Sequence, residues 1–233
     1  MRLRKKPWVS AALEDYSDIV LVKDLLCAKT LEVGANLSEE LKKTGEKMKG
    51  HWHQLFDRQA PLHVELGTGK GKFISEMAER HPEINFVGIE AQQDVLYYVA
   101  EKVREKKLTN VKLLVFDVNH LMEIFAPGEI NRLYINFCDP WPKARHAKRR
   151  LTHADFLEKY RIVLADGGEI FFKTDNRILF DFSLEQFTQS NLILDKVTFD
   201  LHSSNEIDNI MTEYETKFSG LGTKINRCEI KFS

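Results

Sequence analysis

His63-Val-Glu-Leu-Gly-Thr-Gly-Lys-Gly71 decides how the rest of this 233-residue chain is read. A β-rich run over 62–66 passes straight into Gly67, Gly69 and Gly71, and a helical pattern follows over 72–80. Glycines at such a junction permit a tight turn and a close approach of backbone to a ligand. Further β-rich runs at 85–90, 111–116, 132–137, 168–174, 192–200 and 225–232 alternate with helical patterns near 92–107, 119–125, 152–164 and 177–190. This alternation predicts βαβ units and an α/β fold, with a mostly parallel sheet covered on both faces. The connection 202–224 is long and polar and breaks the rhythm. A loop of that length in a compact domain is expected to be functional or mobile.

Three readings of the glycine loop compete. A phosphate-binding P-loop requires Ser or Thr after Gly-Lys, but Phe73 follows Lys72. A dinucleotide loop has the spacing G-x-G-x-x-G, and here it is G-x-G-x-G. A tight turn with no ligand is the third reading. The neighbouring acids bear on the choice. Glu65 lies near the end of the first strand, Glu90 at the end of the second, and Asp117, Asp139 and Asp175 follow the third, fourth and fifth. Ligands of open parallel sheets sit beyond the carboxyl ends of the strands. Glu90 is spaced to accept hydrogen bonds from a ribose, while several carboxylates on one rim would repel a pyrophosphate. A cationic nucleoside suits the rim better, and S-adenosylmethionine is one. Taken singly, each acid also reads as a helix cap or a solvated turn.

Composition sets the outer bounds. The chain is 43% hydrophobic and 30% charged, with net charge −1, so nucleic-acid binding would need a local patch. Cys27, Cys138 and Cys228 are widely spaced, which argues against a zinc site or disulfide framework and predicts a reducing cytoplasm. No apolar run resembles a signal peptide or membrane span. Four cations in the first six residues form either a solvated tail or an arm that touches phosphate. Residues 10–56 have helical spacing, with Leu25, Leu26, Leu37, Leu41 and Met48 as expected buried positions and a short capped helix over 38–45. The expected organisation is an N-terminal arm and helical appendage over 1–58 and a catalytic domain over 59–233.

The local positive patch lies in Tyr134-Ile-Asn-Phe-Cys-Asp-Pro-Trp-Pro-Lys-Ala-Arg-His-Ala-Lys-Arg-Arg150. Its start reads as a buried strand. Pro140 and Pro142 each remove a backbone donor, so the middle is a stiff turn. Lys143, Arg145, Lys148, Arg149 and Arg150 then place five cations in eight residues, with His146 among them. A carboxylate and an aromatic at a strand end beside a positive patch suit a site that holds a polyanion and acts on its bases. Trp141 reads either as a stacking platform or as a packed rim aromatic.

Glu65-Leu-Gly-Thr-Gly-Lys-Gly71 resembles motif I of class I S-adenosylmethionine-dependent methyltransferases. The stretch 136–150, with Phe172-Lys-Thr-Asp-Asn176 and Met211-Thr-Glu-Tyr-Glu-Thr-Lys-Phe218, resembles the signature blocks of the TrmB family of tRNA (guanine-N7-)-methyltransferases, in the same order. Met1–Trp8 is similar to that family's opening. The resemblance implies a Rossmann-like fold with a seven-stranded sheet. It implies binding of the methyl donor by Glu65, Gly67, Gly69, Gly71, Glu90, Asp117 and Asp139, with Asp139 also catalytic. It implies substrate contacts from Lys143, Asp175, Thr212, Glu213, Tyr214 and Glu215, and RNA contacts from Arg145, His146, Ala147, Lys148, Arg149 and Arg150. No metal is expected. The implied partner is tRNA, the product 7-methylguanosine at variable-loop position 46, formed by direct displacement; the oligomeric state is left between monomer and homodimer. Two departures stand out. Residues 24–52 are longer than is usual in the family, and Cys138 stands where serine or proline is expected. Asp139-Pro-Trp141 also resembles the D/N-P-P-Y/F/W motif of amino-group methyltransferases, and a non-catalytic RNA-binding protein on the same fold is a third reading.

Overall fold

A computed structural model describes residues 6–21, 48–204 and 209–232 of the chain. The order of elements is α1 (Val9–Ala12), α2 (Trp52–Leu55), β1 (Leu62–Leu66), α3 (Lys72–Arg80), β2 (Asn85–Glu90), α4 (Gln93–Glu105), β3 (Val111–Val115), α5 (Leu121–Ile124), β4 (Ile130–Asn136), α6 (Ala154–Val163), β5 (Leu164–Thr174), α7 (Arg177–Gln189), β6 (Leu192–Thr198), α8 (Glu213–Ser219) and β7 (Asn226–Phe232). The seven strands form one sheet in the order β3-β2-β1-β4-β5-β7-β6. Strands β1 to β5 run parallel, and β7 pairs antiparallel with both β5 and β6. Because β1 to β5 share one direction, their carboxyl ends meet on one rim.

Burial explains why these runs became strands. Leu62–Leu66 is buried at every position, as expected of a parallel strand covered on both faces. One apolar layer joins Val64, Leu66, Phe156, Tyr160, Phe172 and Phe180. The opposite layer joins Phe73, Ile74, Leu96, Val99, Val103 and Leu113. The seven expected strands are all present, with ends shifted by a few residues. The largest shift is in β5, which begins at Leu164 instead of residue 168. Its register against β4 breaks between Ile130 and Arg132, and Gly167 takes a φ of 73° there. A bulge of this kind absorbs the glycine pair Gly167-Gly168 into the strand.

Two expectations need correction. Residues 1–58 were expected to form an appendage. The described parts, 6–21 and 48–58, pack onto the core layers of the sheet. Val9, Leu13, Ile19 and Val20 are buried against the α3–α4 layer, and Val20 bridges Leu113 in parallel fashion beyond β3. Met48 is buried as expected, and Trp52 stacks on Phe125 at 5.0 Å while its Nε1 donates to the Ile124 carbonyl at 2.8 Å. Leu25, Leu26, Leu37, Leu41 and the expected helix over 38–45 lie outside the described residues. Second, the connection 202–224 contains α8. Thr212-Glu-Tyr-Glu215 carries the T-x-x-E signature of a helix start, and Thr212 Oγ1 accepts from the Glu215 backbone N–H at 3.0 Å.

A buried lysine fastens α8 to the sheet. Lys173, near the end of β5, is 4% exposed, and Glu215 is fully buried. The ammonium donates to Glu215 Oε2 at 2.8 Å, Ile210 O at 2.9 Å and Asn209 Oδ1 at 3.1 Å. Its three protons therefore all go to one segment. Burial pulls the Lys173 proton affinity below the ordinary lysine range, and Glu215 opposes that pull.

Lys173→Met leaves Glu215 buried without its partner and is expected to cost about 3–5 kcal/mol in urea unfolding, while Lys173→Met with Glu215→Leu recovers most of it. The glycine loop offers a second test. Gly67 and Gly71 both have positive φ, 84° and 83°, but only at Gly71 would a Cβ strike a neighbour, Val99 Cγ1 at 2.5 Å. Gly67→Ala should cost about 1–2 kcal/mol of backbone strain, and Gly71→Ala about 1–3 kcal/mol more from overpacking.

Candidate active site

The rim of the parallel strands holds a cavity of about 430 Å³, bounded by the β1–α3 glycine loop, the end of β4 and the start of α8. Glu65 lines it from β1. Its carboxylate is 2% exposed; Oε1 accepts from Asn136 Nδ2 at 2.9 Å, and Oε2 has no partner. Burial pushes the Glu65 carboxyl up to about 8, with the charges of Glu213 and Glu90 adding to the effect and Asn136 and Lys173 opposing it. An oxygen buried at this depth and unpartnered is costly unless a donor arrives from the cavity.

The glycine loop makes room beside it. Gly67 and Gly69 line the cavity, and a Cβ built on either meets nothing within 4 Å. Space where a side chain would be is space for a ligand to approach the backbone. Gly71 does not join them. It is the N-cap of α3 and lets α3 pack on Val99 of α4. Glu90, at the end of β2, receives the Gly69 N–H at 3.2 Å and the Gln92 N–H at 3.0 Å. Burial raises its proton affinity, these backbone bonds oppose that, and the charge of Asp139 adds to it. Asp139 and Glu90 therefore share one electrostatic neighbourhood. Asp117 follows β3 as expected, but its Oδ1 accepts from the Asn119 N–H at 2.9 Å and Asn119 Nδ2 at 2.8 Å. That is the N-cap role the sequence left open.

Asp139 stands two residues beyond Phe137, which lines the cavity. It is exposed and has no hydrogen bond or ion pair among the described residues. The turn around it is strained: Phe137 and Trp141 have φ of 52° and 41°, values that side-chain-bearing residues rarely adopt. Arg150 holds this strain in place. Its Nε and Nη2 donate to the Pro140 and Trp141 carbonyls at 3.1 Å each, and its guanidinium lies 4.3 Å from the Phe182 ring centroid. Arg150 is 7% exposed, whereas the resemblance expects it among the RNA-contacting cations. Lys143, Arg145, Lys148 and Arg149 remain exposed; His146 and Ala147 are half-buried. His146 stacks on Trp141 with centroids 5.8 Å apart, Arg145 Nε lies 3.0 Å from His146 Nε2, and the Arg149 guanidinium sits 4.9 Å from the Trp141 ring. Lys148 lies 3.7 Å from Asp155.

The 209–215 segment closes the other side, and here the expected substrate contacts divide. Thr212, Glu213 and Tyr214 line the cavity. The Tyr214 hydroxyl donates to Asp175 Oδ2 at 2.9 Å, and its ring lies 5.1 Å from Phe137. Glu213 reaches the N-terminus of α3: both its oxygens lie 3.2 Å from the Lys72 backbone N, and Lys102 Nζ donates to Oε1 at 2.6 Å. Glu215 points away, into the pair with Lys173, and does not line the cavity, whereas the resemblance expects it in contact with substrate. Sequence reasoning missed Asn136, Phe137 and Lys173 as site-forming residues. Asn136 and Phe137 stood at a strand end, where the acids were sought, but neither carries the charge that drew attention.

The sequence matches, over residues 59–228, the family described as "Putative methyltransferase". Over 232 residues it is 48% identical to the tRNA (guanine-N(7)-)-methyltransferase of Halalkalibacterium halodurans, covering 100% of this chain and 96% of that one. The protein of the same name from Bacillus subtilis is 45% identical, covering 100% and 99%. Among solved structures, the 16S rRNA methyltransferase KamB superposes with a TM-score of 0.61 at 13% identity, covering 79% of this chain and 93% of that one, which is a likeness of fold. With a class I methyltransferase sheet, a cavity at its strand ends and full-length identity of this order, the chain belongs to the tRNA (guanine-N7-)-methyltransferase family.

Proposed function

We propose that this enzyme transfers a methyl group from S-adenosylmethionine to N7 of guanine 46 in the variable loop of tRNA by direct displacement. The observation that carries the donor assignment is the unpartnered, buried Glu65 Oε2 beside two glycines with open space over them. A cationic nucleoside fits this set. Its positive groups meet Glu65, and its ribose hydroxyls meet Glu90, whose carboxylate sits at the end of the adjacent strand. S-adenosylmethionine, when bound, supplies an electrophilic methyl group on a sulfonium. Glu213 reinforces the preference. It places a carboxylate on the α3 N-terminus, where a dinucleotide fold would hold pyrophosphate.

Guanine N7 is a ring nitrogen with an in-plane lone pair and no proton, so no base is needed to activate it. Positive charge develops on the guanine as methyl transfer proceeds. Asp139, exposed and without a partner beyond the cavity, is free to face it. Two unit charges at 4 Å attract by about 4 kcal/mol at an effective dielectric of 20. Half a developed charge makes this about 2 kcal/mol, or about 30-fold in rate. Alignment supplies about 7–11 kcal/mol, so holding the base matters more than polarising it. Tyr214 lines the cavity and its hydroxyl binds Asp175 behind it, and the acceptors of this pair suit the N1–H and amino donors of guanine. Lys143, Arg145, Lys148 and Arg149 face solvent on the adjoining turn, where phosphates would be met.

Mass spectrometry of nucleosides from tRNA incubated with enzyme and methyl donor should show 7-methylguanosine, and none when guanine 46 is replaced. Recovery of a methylated adenine or cytosine would overturn the reading. Asp139→Asn should lower the single-turnover rate by about 30-fold.

Glu65 gives a pH test. Its folded proton affinity lies above the unfolded value of about 4.5 and reaches about 8, so between these the folded state binds more protons and stability falls as pH rises. Glu65 should contribute up to about 1.4 kcal/mol per pH unit to the slope in the unliganded protein, and Glu65→Gln should lose that contribution. Donor binding near pH 7 should release a proton, read by calorimetry in buffers of different ionisation enthalpy.

A further inference from the structure

The N-terminal segment ends up beside the cavity. The Lys6 backbone N–H donates to Asp94 Oδ2 at 3.1 Å, and Gln93 Nε2 donates to Ser10 Oγ at 3.0 Å. Gln93 and Asp94 begin α4, directly after the β2 strand end that carries Glu90. These two bonds fix residues 6–10 on the rim where β1 to β5 end.

What they bring there is a cluster of rings and cations. Trp8 is 50% exposed and meets Tyr97 edge-on with centroids 5.1 Å apart. Lys6 Nζ lies 5.6 Å from the Trp8 ring and 4.9 Å from the Tyr98 ring, and is hydrogen-bonded to the Tyr98 hydroxyl. Lys70 Nζ lies 5.8 Å from the same Tyr98 ring. Lys70 belongs to the glycine loop and lines the cavity, so the cluster is continuous with the site. The nearby cations Lys102 and Arg104 are taken by Glu213 and Asp18. Lys6 and Lys70 have no carboxylate in ion-pair range among the described residues.

A structural anchor has no need of an indole left half in water, nor of two ammoniums with no counter-charge among the described residues. An exposed ring flanked by cations stacks a nucleobase and meets the adjoining phosphates. We infer that Lys6, Trp8, Tyr98 and Lys70 form a second RNA-contact surface, across the cavity mouth from the Lys143–Arg149 turn, that takes an unstacked nucleotide of the tRNA next to the target base. The inference rests on tRNA being the substrate and names the surface that holds it.

The test compares wild type, Trp8→Ala, Trp8→Phe and Lys6→Gln for tRNA affinity across a salt series, for KM and kcat, and for methyl-donor affinity by calorimetry. Trp8→Ala should raise Kd and KM for tRNA by about tenfold, within the range of one lost stacking contact, with kcat and donor affinity unchanged. Trp8→Phe should recover most of the loss. Lys6→Gln should flatten the salt slope by about 0.7–0.9, the contribution of one phosphate. An active wild type with unchanged KM and Kd in Trp8→Ala overturns this inference alone. Loss of melting temperature or donor affinity in Trp8→Ala that accounts for the tRNA loss also overturns it, making the cluster an anchor. A wild type that methylates no tRNA overturns the proposed function instead.

Discussion

The ammonium of Lys173 is the contact on which the site's shape depends. It sits near the carboxyl end of β5, almost without solvent, and gives its protons to Glu215, Ile210 and Asn209. An ammonium buried without acceptors would cost several kcal/mol, so the chain has one low-energy way to satisfy it, which is to lay 209–215 across the strand ends. That placement turns Thr212 and Tyr214 toward the glycine loop and brings Glu213 to the α3 N-terminus. The cavity is therefore a consequence of one desolvated cation, with its far wall contributed by a segment more than 130 residues from the glycine loop in sequence.

The electrostatics then divide the rim in two. Glu90, Glu213 and Asp139 make one part negative, with Glu65 joining them once it gives up its proton, and the exposed Lys143, Arg145, Lys148 and Arg149 make the adjoining turn positive. The net charge of −1 hides this separation. A cationic small molecule and a polyanion can occupy neighbouring ground only if their counter-charges are kept apart, and the turn at Pro140 and Pro142 sets the spacing. Arg150, a cation by composition, is spent on the turn's carbonyls.

Much of the framework was legible because it rests on periodicity. Val64, Val87, Leu114 and Ile135 lie in short apolar runs bounded by turn residues, and such runs have little alternative to a buried parallel strand. The rim position of the acids was legible for the same reason, since strand direction fixes which ends of the parallel strands meet. What could not be read depended on partners distant in sequence. Lys173 and Glu215 are 42 positions apart and carry no local mark of pairing. The helix over Glu213–Ser219 was lost in a polar stretch, although Thr212-Glu-Tyr-Glu215 bears a start signal. Residues 6–21 and 48–58 look peripheral because their apolar residues are sparse. Sparse residues such as Val20 and Trp52 still complete a layer when the sheet supplies the rest.

The Arg150 brace has an implication for how such a site can diversify. Its two hydrogen bonds go to main-chain oxygens of residues 140 and 141, and none depends on what side chains those residues carry. The loop's path is thereby uncoupled from its chemical identity. Replacements at position 141 can change the ring carried there while the main chain through residues 139–141 keeps its path. A scaffold built this way lets recognition drift through evolution without the reaction geometry having to be reinvented each time.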